Sequence, residues 1–144
     1  MTPQSGLPKP VDELIADLQS VFLPHEEILL AYLYGSYVKG PWTLQSDIDI
    51  GLFITDDAGK DPWYPLKIQE EITACVPSNH PFDVHILNHA GAKFCYEVIF
   101  QTPKILVRDE SLRVEFETRT LIEWYDMRPT FENYQRELAE ALRH

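Results

Sequence analysis

The chain has 144 residues, 44% hydrophobic and 24% charged, ordinary proportions for a folded globular protein. Its 23 acidic residues against 12 basic ones give a net charge of −11, which argues against the basic patch that nucleic-acid binding requires and favours a small metal-bound substrate or a basic protein partner. Cys75 and Cys95 are too few for a disulfide framework or a zinc site; no apolar run reaches membrane-spanning length and no basic-then-apolar leader opens the chain, so a single cytoplasmic domain over residues 1–144 is expected.

Residues 1–10 (MTPQSGLPKP) are proline-rich and read as a loose arm. Leu14, Ile15, Leu18, Val21 and Phe22 recur at helical spacing after Pro10, which suits a helix start, so Val11 to Phe22 is expected to be helical. The apolar run ILLAYLY, Ile28 to Tyr34, reads as a first strand that stops at Gly35-Ser36. Glycine lets a ligand approach the main chain. Ser36 suits the cap of a short helix over Tyr37 to Gly40, whose free N–H groups would face an anion, and Lys39 adds a positive charge one turn on. After Gly35-Ser36 and ten intervening residues, Asp47 opens a second strand that runs to Ile54. Thr55 to Pro62 is an acidic loop, expected close to the end of that strand where Asp47 and Asp49 would hold a metal, with its own Asp56, Asp57 and Asp61 solvated.

Farther along, Leu66, Ile68, Ile72 and Val76 predict a helix over Tyr64 to Val76, ended by Pro77. FDVHIL, Phe82 to Leu87, alternates as a third strand, with Asp83 and His85 on one face. His85 is read there as a hydrogen-bonded structural histidine, with a substrate contact as the alternative. Ala92 to Gln101 reads as a helix and Lys104 to Val107 as a short fourth strand. From Ser111 the chain is helical to a break at Pro129, and a last helix covers Phe131 to Leu142. Arg113, Glu117, Arg119 and Glu123 are expected to form surface pairs, and both cysteines to be core thiols. This order predicts an α/β fold: a small sheet of about four strands with helices on one side, carboxylates at one exposed edge, and C-terminal helices over 109–144.

The chemistry lies in the carboxylates. Asp47 and Asp49 are two apart, so on an extended chain both leave one face while Ile48, Ile50, Leu52 and Ile54 take the other. Two uncompensated carboxylates repel and are costly to bury, and a divalent, oxygen-ligated ion such as Mg²⁺ removes that penalty. With its strand beside the second, Asp83 would bring a third carboxylate to the same face. Such Asp pairs also occur in calcium loops and at solvated strand ends, and Gly-Ser is a common turn.

Gly35-Ser36, the spacer and Asp47-x-Asp49, with Phe82-Asp83-Val84 as an apolar-Asp-apolar third element, resemble the signature of the DNA polymerase beta nucleotidyltransferase superfamily. That resemblance implies the nucleotidyltransferase fold and a two-ion site for Mg²⁺ or Mn²⁺. Asp47 and Asp49 would bridge both ions, and Asp83 would hold the one beside the nucleophile and take its proton. ATP would be the substrate, its β- and γ-phosphates held by Gly35, Ser36 and the following amides, with Lys39 countering charge. The later run HAGAKFCYEVIFQTPKILVRDE, then RVEFE and WYDMRP, is similar to the minimal nucleotidyltransferase (MNT) antitoxins of HEPN–MNT toxin–antitoxin pairs, from about Ile28 to Tyr134. It implies an antitoxin that moves AMP from ATP to a tyrosine of a HEPN-type RNase toxin within a hetero-oligomeric complex, with neither nucleic acid nor membrane as partner. A small-molecule nucleotidyltransferase of the aminoglycoside type and a binding-only antitoxin are the alternatives. Two positions depart from the family: Lys39 stands where Arg is common, giving a point charge in place of a bidentate fork, and His85 replaces an acid.

Overall fold

The computed structural model describes residues 10–40, 46–100 and 103–143. The arm before Pro10, the middle of the spacer (41–45) and the helix end expected at Gln101 lie outside them. The elements run α1 Val11–Phe22, β1 Ile28–Tyr34, α2 Ser36–Lys39, β2 Ile48–Ile54, α3 Tyr64–Cys75, β3 Phe82–Ile86, α4 Ala92–Phe100, β4 Lys104–Val107 and α5 Glu110–Arg143. The four strands form one mixed sheet in the order β3-β2-β1-β4. β1 pairs antiparallel with both β2 and β4, and β2 pairs parallel with β3 through the α3 crossover.

Alternation along the strands divides the core between two faces. Ile48, Ile50, Leu52 and Ile54 of β2 join Ala31, Leu33, Phe82 and Val84 against α1 and α3. Leu14, Leu18 and Phe22 of α1 and Ile68 and Ile72 of α3 lie on the helical stripes that reach this face. The helix cover expected from sequence holds here, and the opposite face is covered as well. Leu30 and Tyr32 pack there with Leu87, Cys95 and Val98 of α4 and with Phe116 near the start of α5. Gly51 permits the close approach of α4, since a Cβ on it would meet Leu87 and Val98 at 3.2–3.3 Å.

Three expectations change. α5 runs unbroken through Pro129. Proline removes the N–H that would bond the carbonyl four residues back, but Tyr125 and its neighbours are exposed, so water can take that carbonyl. Cys75 lies on the outer side of α3 and is exposed, whereas Cys95 is buried, its thiol pushed up to about 11 chiefly by burial. Of the α5 surface pairs, Arg113–Glu117 forms at 2.9 Å, and Glu117 also accepts from the Tyr32 hydroxyl at 3.1 Å; Arg119 and Glu123 form no ion pair among the described residues.

Arg108, just past β4, ties the end of α1 to the sheet. Its Nε donates to the Ile28 carbonyl at 2.9 Å, and Nη2 to the carbonyls of Phe22, Leu23 and His25 at 3.3, 3.2 and 3.2 Å. A cation here adds charge-assisted hydrogen bonds to the carbonyls at a helix C-terminus, where the helix dipole favours it. Arg108→Ala is expected to lower stability by about 1.5–3 kcal/mol, the range for hydrogen bonds to charged groups. Arg108→Lys should restore only part of it, because an ammonium lacks the planar fork. Urea denaturation of the three proteins measures both.

Candidate active site

Asp49 and Asp83 are each the second residue of their strands, and the parallel register sets them opposite one another. Their flanking residues, Ile48, Ile50, Phe82 and Val84, are buried on the α1–α3 side, which forces the two carboxylates out together on the other. His85, two residues past Asp83, shares that face, and its Nε2 lies 2.9 Å from Asp83 Oδ2. One ligand atom each from Asp49, Asp83 and His85 lies within 4.8 Å of the others. His85 is therefore hydrogen-bonded, as read from sequence, and is also a member of the cluster.

Asp47 sits differently. It precedes the first residue of β2 and is exposed, outside the three-residue cluster, although its charge is still felt at Asp49. The fold thus joins two of the three expected carboxylates and leaves the third at the strand entrance. Asp47 stands one residue before the ladder begins, close enough for its charge to reach Asp49. The acidic loop after Ile54 is displaced from its expected position. Asp49 is near the start of β2, so the loop leaves the opposite end of the strand, about 20 Å away at strand rise. There Asp61 accepts from the Trp63 amide at 2.9 Å and pairs with Lys67 at 2.7 Å.

The turn after β1 closes over Asp49. Gly35 has φ 90°, and a Cβ there would lie 2.2 Å from Asp49 Oδ2, so both backbone and space exclude any other residue. Gly35, rather than Ser36, is the N-cap of α2: its carbonyl accepts from the amides of Val38 and Lys39 at 3.2 and 3.1 Å, and no side chain caps the helix. Ser36 is the first helical residue, and its side chain is exposed. Tyr34, Gly35, Ser36, Lys39 and Gly40 line one wall of an open groove of about 480 Å³, with Phe94 and Glu97 of α4 opposite. All three expected phosphate contacts therefore face one groove next to Asp49.

Two residues with no expected role support the site. His80 is buried; its Nδ1 donates to the Ser46 carbonyl at 2.8 Å, and its ring meets Tyr37 edge-on at 5.4 Å. It joins the start of β3 to α2 and to the residue before Asp47. Phe94 packs edge-on against Tyr34 and His85, both at 5.7 Å, and roofs the carboxylate face. Neither has a sequence signal: each is an aromatic ring within an apolar or proline-rich stretch.

Burial pushes the Asp49 carboxyl up to about 6, Asp83 adds to the rise, His85 opposes it and Asp47 adds a little more. A half-buried carboxylate beside a second one, with a histidine nitrogen within reach, is a set of groups that could hold a divalent cation.

Residues 16–111 match the family model described as polymerase beta, nucleotidyltransferase, and the chain belongs to that family. No curated protein matches its sequence. Among solved structures it is similar to a mutant MntA–HpeT toxin–antitoxin, at 16% identity with a TM-score of 0.68 over 90% of this chain and 98% of that one. It is likewise similar to a toxin–antitoxin with AMP-PNP, at 18% identity and 0.67 over 90% and 98%. A third is a tri-AMPylated Shewanella oneidensis HEPN toxin in complex with MNT antitoxin, at 16% and 0.64 over 92% and 98%. At such identities these likenesses establish the fold.

The raised Asp49 carboxyl has a consequence for stability. A carboxyl whose pKa is higher folded than unfolded stabilises the fold while protonated, and that contribution is lost as pH rises from 3.8 through about 6. Asp49→Asn removes the charge throughout. In metal-free buffer its melting temperature relative to wild type is expected to be higher at about pH 7.5 than at about pH 4.5, as scanning calorimetry at the two pH values would show.

Proposed function

We propose that the protein is an antitoxin-type adenylyltransferase that transfers AMP from ATP to a tyrosine hydroxyl of a HEPN-type RNase toxin, and so neutralises it. The observation that carries this reading is the register that sets Asp49 against Asp83 beneath Gly35. The fold supports it further, being the one seen in an antitoxin complex whose toxin is AMPylated and in a toxin–antitoxin with AMP-PNP.

The residues fit a divalent cation such as Mg²⁺ or Mn²⁺, with Asp49, Asp83 and, from the strand entrance, Asp47 as its holders. Bound there, it would neutralise the carboxylates and draw charge from the phosphoryl oxygens. The chain's own groups supply the rest. Ser36 and the backbone after Gly35 bind the β- and γ-phosphates, and Lys39 offsets their charge. Asp83, with one oxygen taken by His85, accepts the acceptor's proton on the other. The tyrosine oxygen bonds to the α-phosphorus as the bond to pyrophosphate breaks. The net charge of −11 favours one second reading, a small polycationic acceptor at the same site.

ATP binding is expected to require Mg²⁺ or Mn²⁺, to vanish on chelation, and to raise the melting temperature only when metal is present. Incubation with ATP and a HEPN-type toxin should add the mass of AMP less water to a toxin tyrosine. A toxin neutralised but unmodified in the mass spectrum would establish binding alone.

The carboxylates should separate by variant. Asp47→Asn and Asp49→Asn are expected to weaken metal–nucleotide binding and transfer together. Asp83→Asn should keep much of the ATP affinity while losing transfer by about 10²–10⁴-fold, as for a missing general base. Calorimetry and mass spectrometry on the same variants check this; transfer at the wild-type rate by Asp83→Asn would remove Asp83 from the chemistry.

A further inference from the structure

Tyr34 is the last residue of β1, and its hydroxyl is the one buried side-chain polar atom without a hydrogen-bond partner among the described residues. Buried hydroxyls nearly always find a partner, and one left alone is costly. Packing does not ask for it. The ring sits edge-on to Phe94 at 5.7 Å and tilted against His85 at 6.2 Å, and a phenylalanine would fill the same space.

The neighbour across the sheet is Asp49. The antiparallel register of β1 and β2 sets Tyr34 opposite it, so the two side chains leave adjacent strands on one face. Asp49 in turn receives no hydrogen bond among the described residues, whereas Asp83 is engaged by His85. A phenol is a neutral hydrogen-bond donor near neutral pH. A donor without an acceptor thus stands beside an acceptor without a donor.

We infer that Tyr34 is a positioning residue whose hydroxyl donates to the Asp49 carboxylate when that carboxylate holds a divalent cation, fixing which oxygen faces the ion. This rests on the reading of Asp49 as a cation ligand. Groups that hydrogen-bond a metal ligand fix its orientation, and their loss weakens metal affinity about 10–100-fold. The metal-free protein bears the unpaired hydroxyl as a loss of stability, and the loaded protein recovers it.

Calorimetric titration with Mn²⁺ alone, on wild type, Tyr34→Phe and Asp49→Asn, tests this alongside melting of each metal-free protein. Wild type should bind. Tyr34→Phe should bind about 10–100-fold more weakly while melting, without metal, at or above the wild-type temperature, because an unpaired donor has been removed. Equal Mn²⁺ affinity in wild type and Tyr34→Phe would overturn the role of Tyr34 and leave the cation reading standing. A metal-free melting temperature well below wild type would mark the hydroxyl as structural and overturn it too. Absence of Mn²⁺ binding by wild type would overturn the cation reading and this inference with it.

Discussion

The structure depends on holding two like charges side by side. Asp49 and Asp83 would separate if free to do so, and what prevents it is apolar packing on the reverse of the same two strands. Ile48, Ile50, Phe82 and Val84 are all buried there. Slipping β3 by one residue would carry Asp83 into that core and bring Phe82 out, so the price of escape from repulsion is the loss of a hydrophobic face. Register is therefore enforced from behind, by residues that never meet a ligand.

The same sheet divides its labour between its faces. The α1–α3 side is uniformly apolar and fixes position. The α4 side mixes apolar residues with a ring of aromatics, Tyr34, His85 and Phe94, set around the carboxylates. Asp49 is half-buried beside those rings, and the groove next to Gly35 and Ser36 is open. Shelter on one side and access on the other raise the energy of the Asp49 charge without isolating it.

Most of the element order was legible because the strands and their helices follow simple periods. Ile28–Tyr34 and Lys104–Val107 coincide with the expected strands, and Val11–Phe22 with the first helix. The carboxylate pairing was legible too, since Phe82-Asp83-Val84 alternates like Ile48-Asp49-Ile50 and both must present the acid away from the core. Other features follow from tertiary context that no local pattern carries. A proline ends a helix where its neighbours need the lost bond, and α5 continues through Pro129 because that stretch is solvated. Ser36 has the chemistry of a cap, but the tight passage over Asp49 requires a positive φ, so glycine takes the cap position. The direction of β2 was visible in the sequence, yet the acidic loop was set at the wrong end of it.

The parallel crossover also sets an order of events. β1 and β2 are joined as antiparallel neighbours, so the glycine turn and Asp49 can meet early. Asp83 reaches Asp49 only when the whole of α3 has been threaded across one face and β3 laid along the edge. A chain that stops within α3 holds the turn, Asp47 and Asp49 but lacks Asp83. Completion of the crossover is thus what sets the second carboxylate against the first.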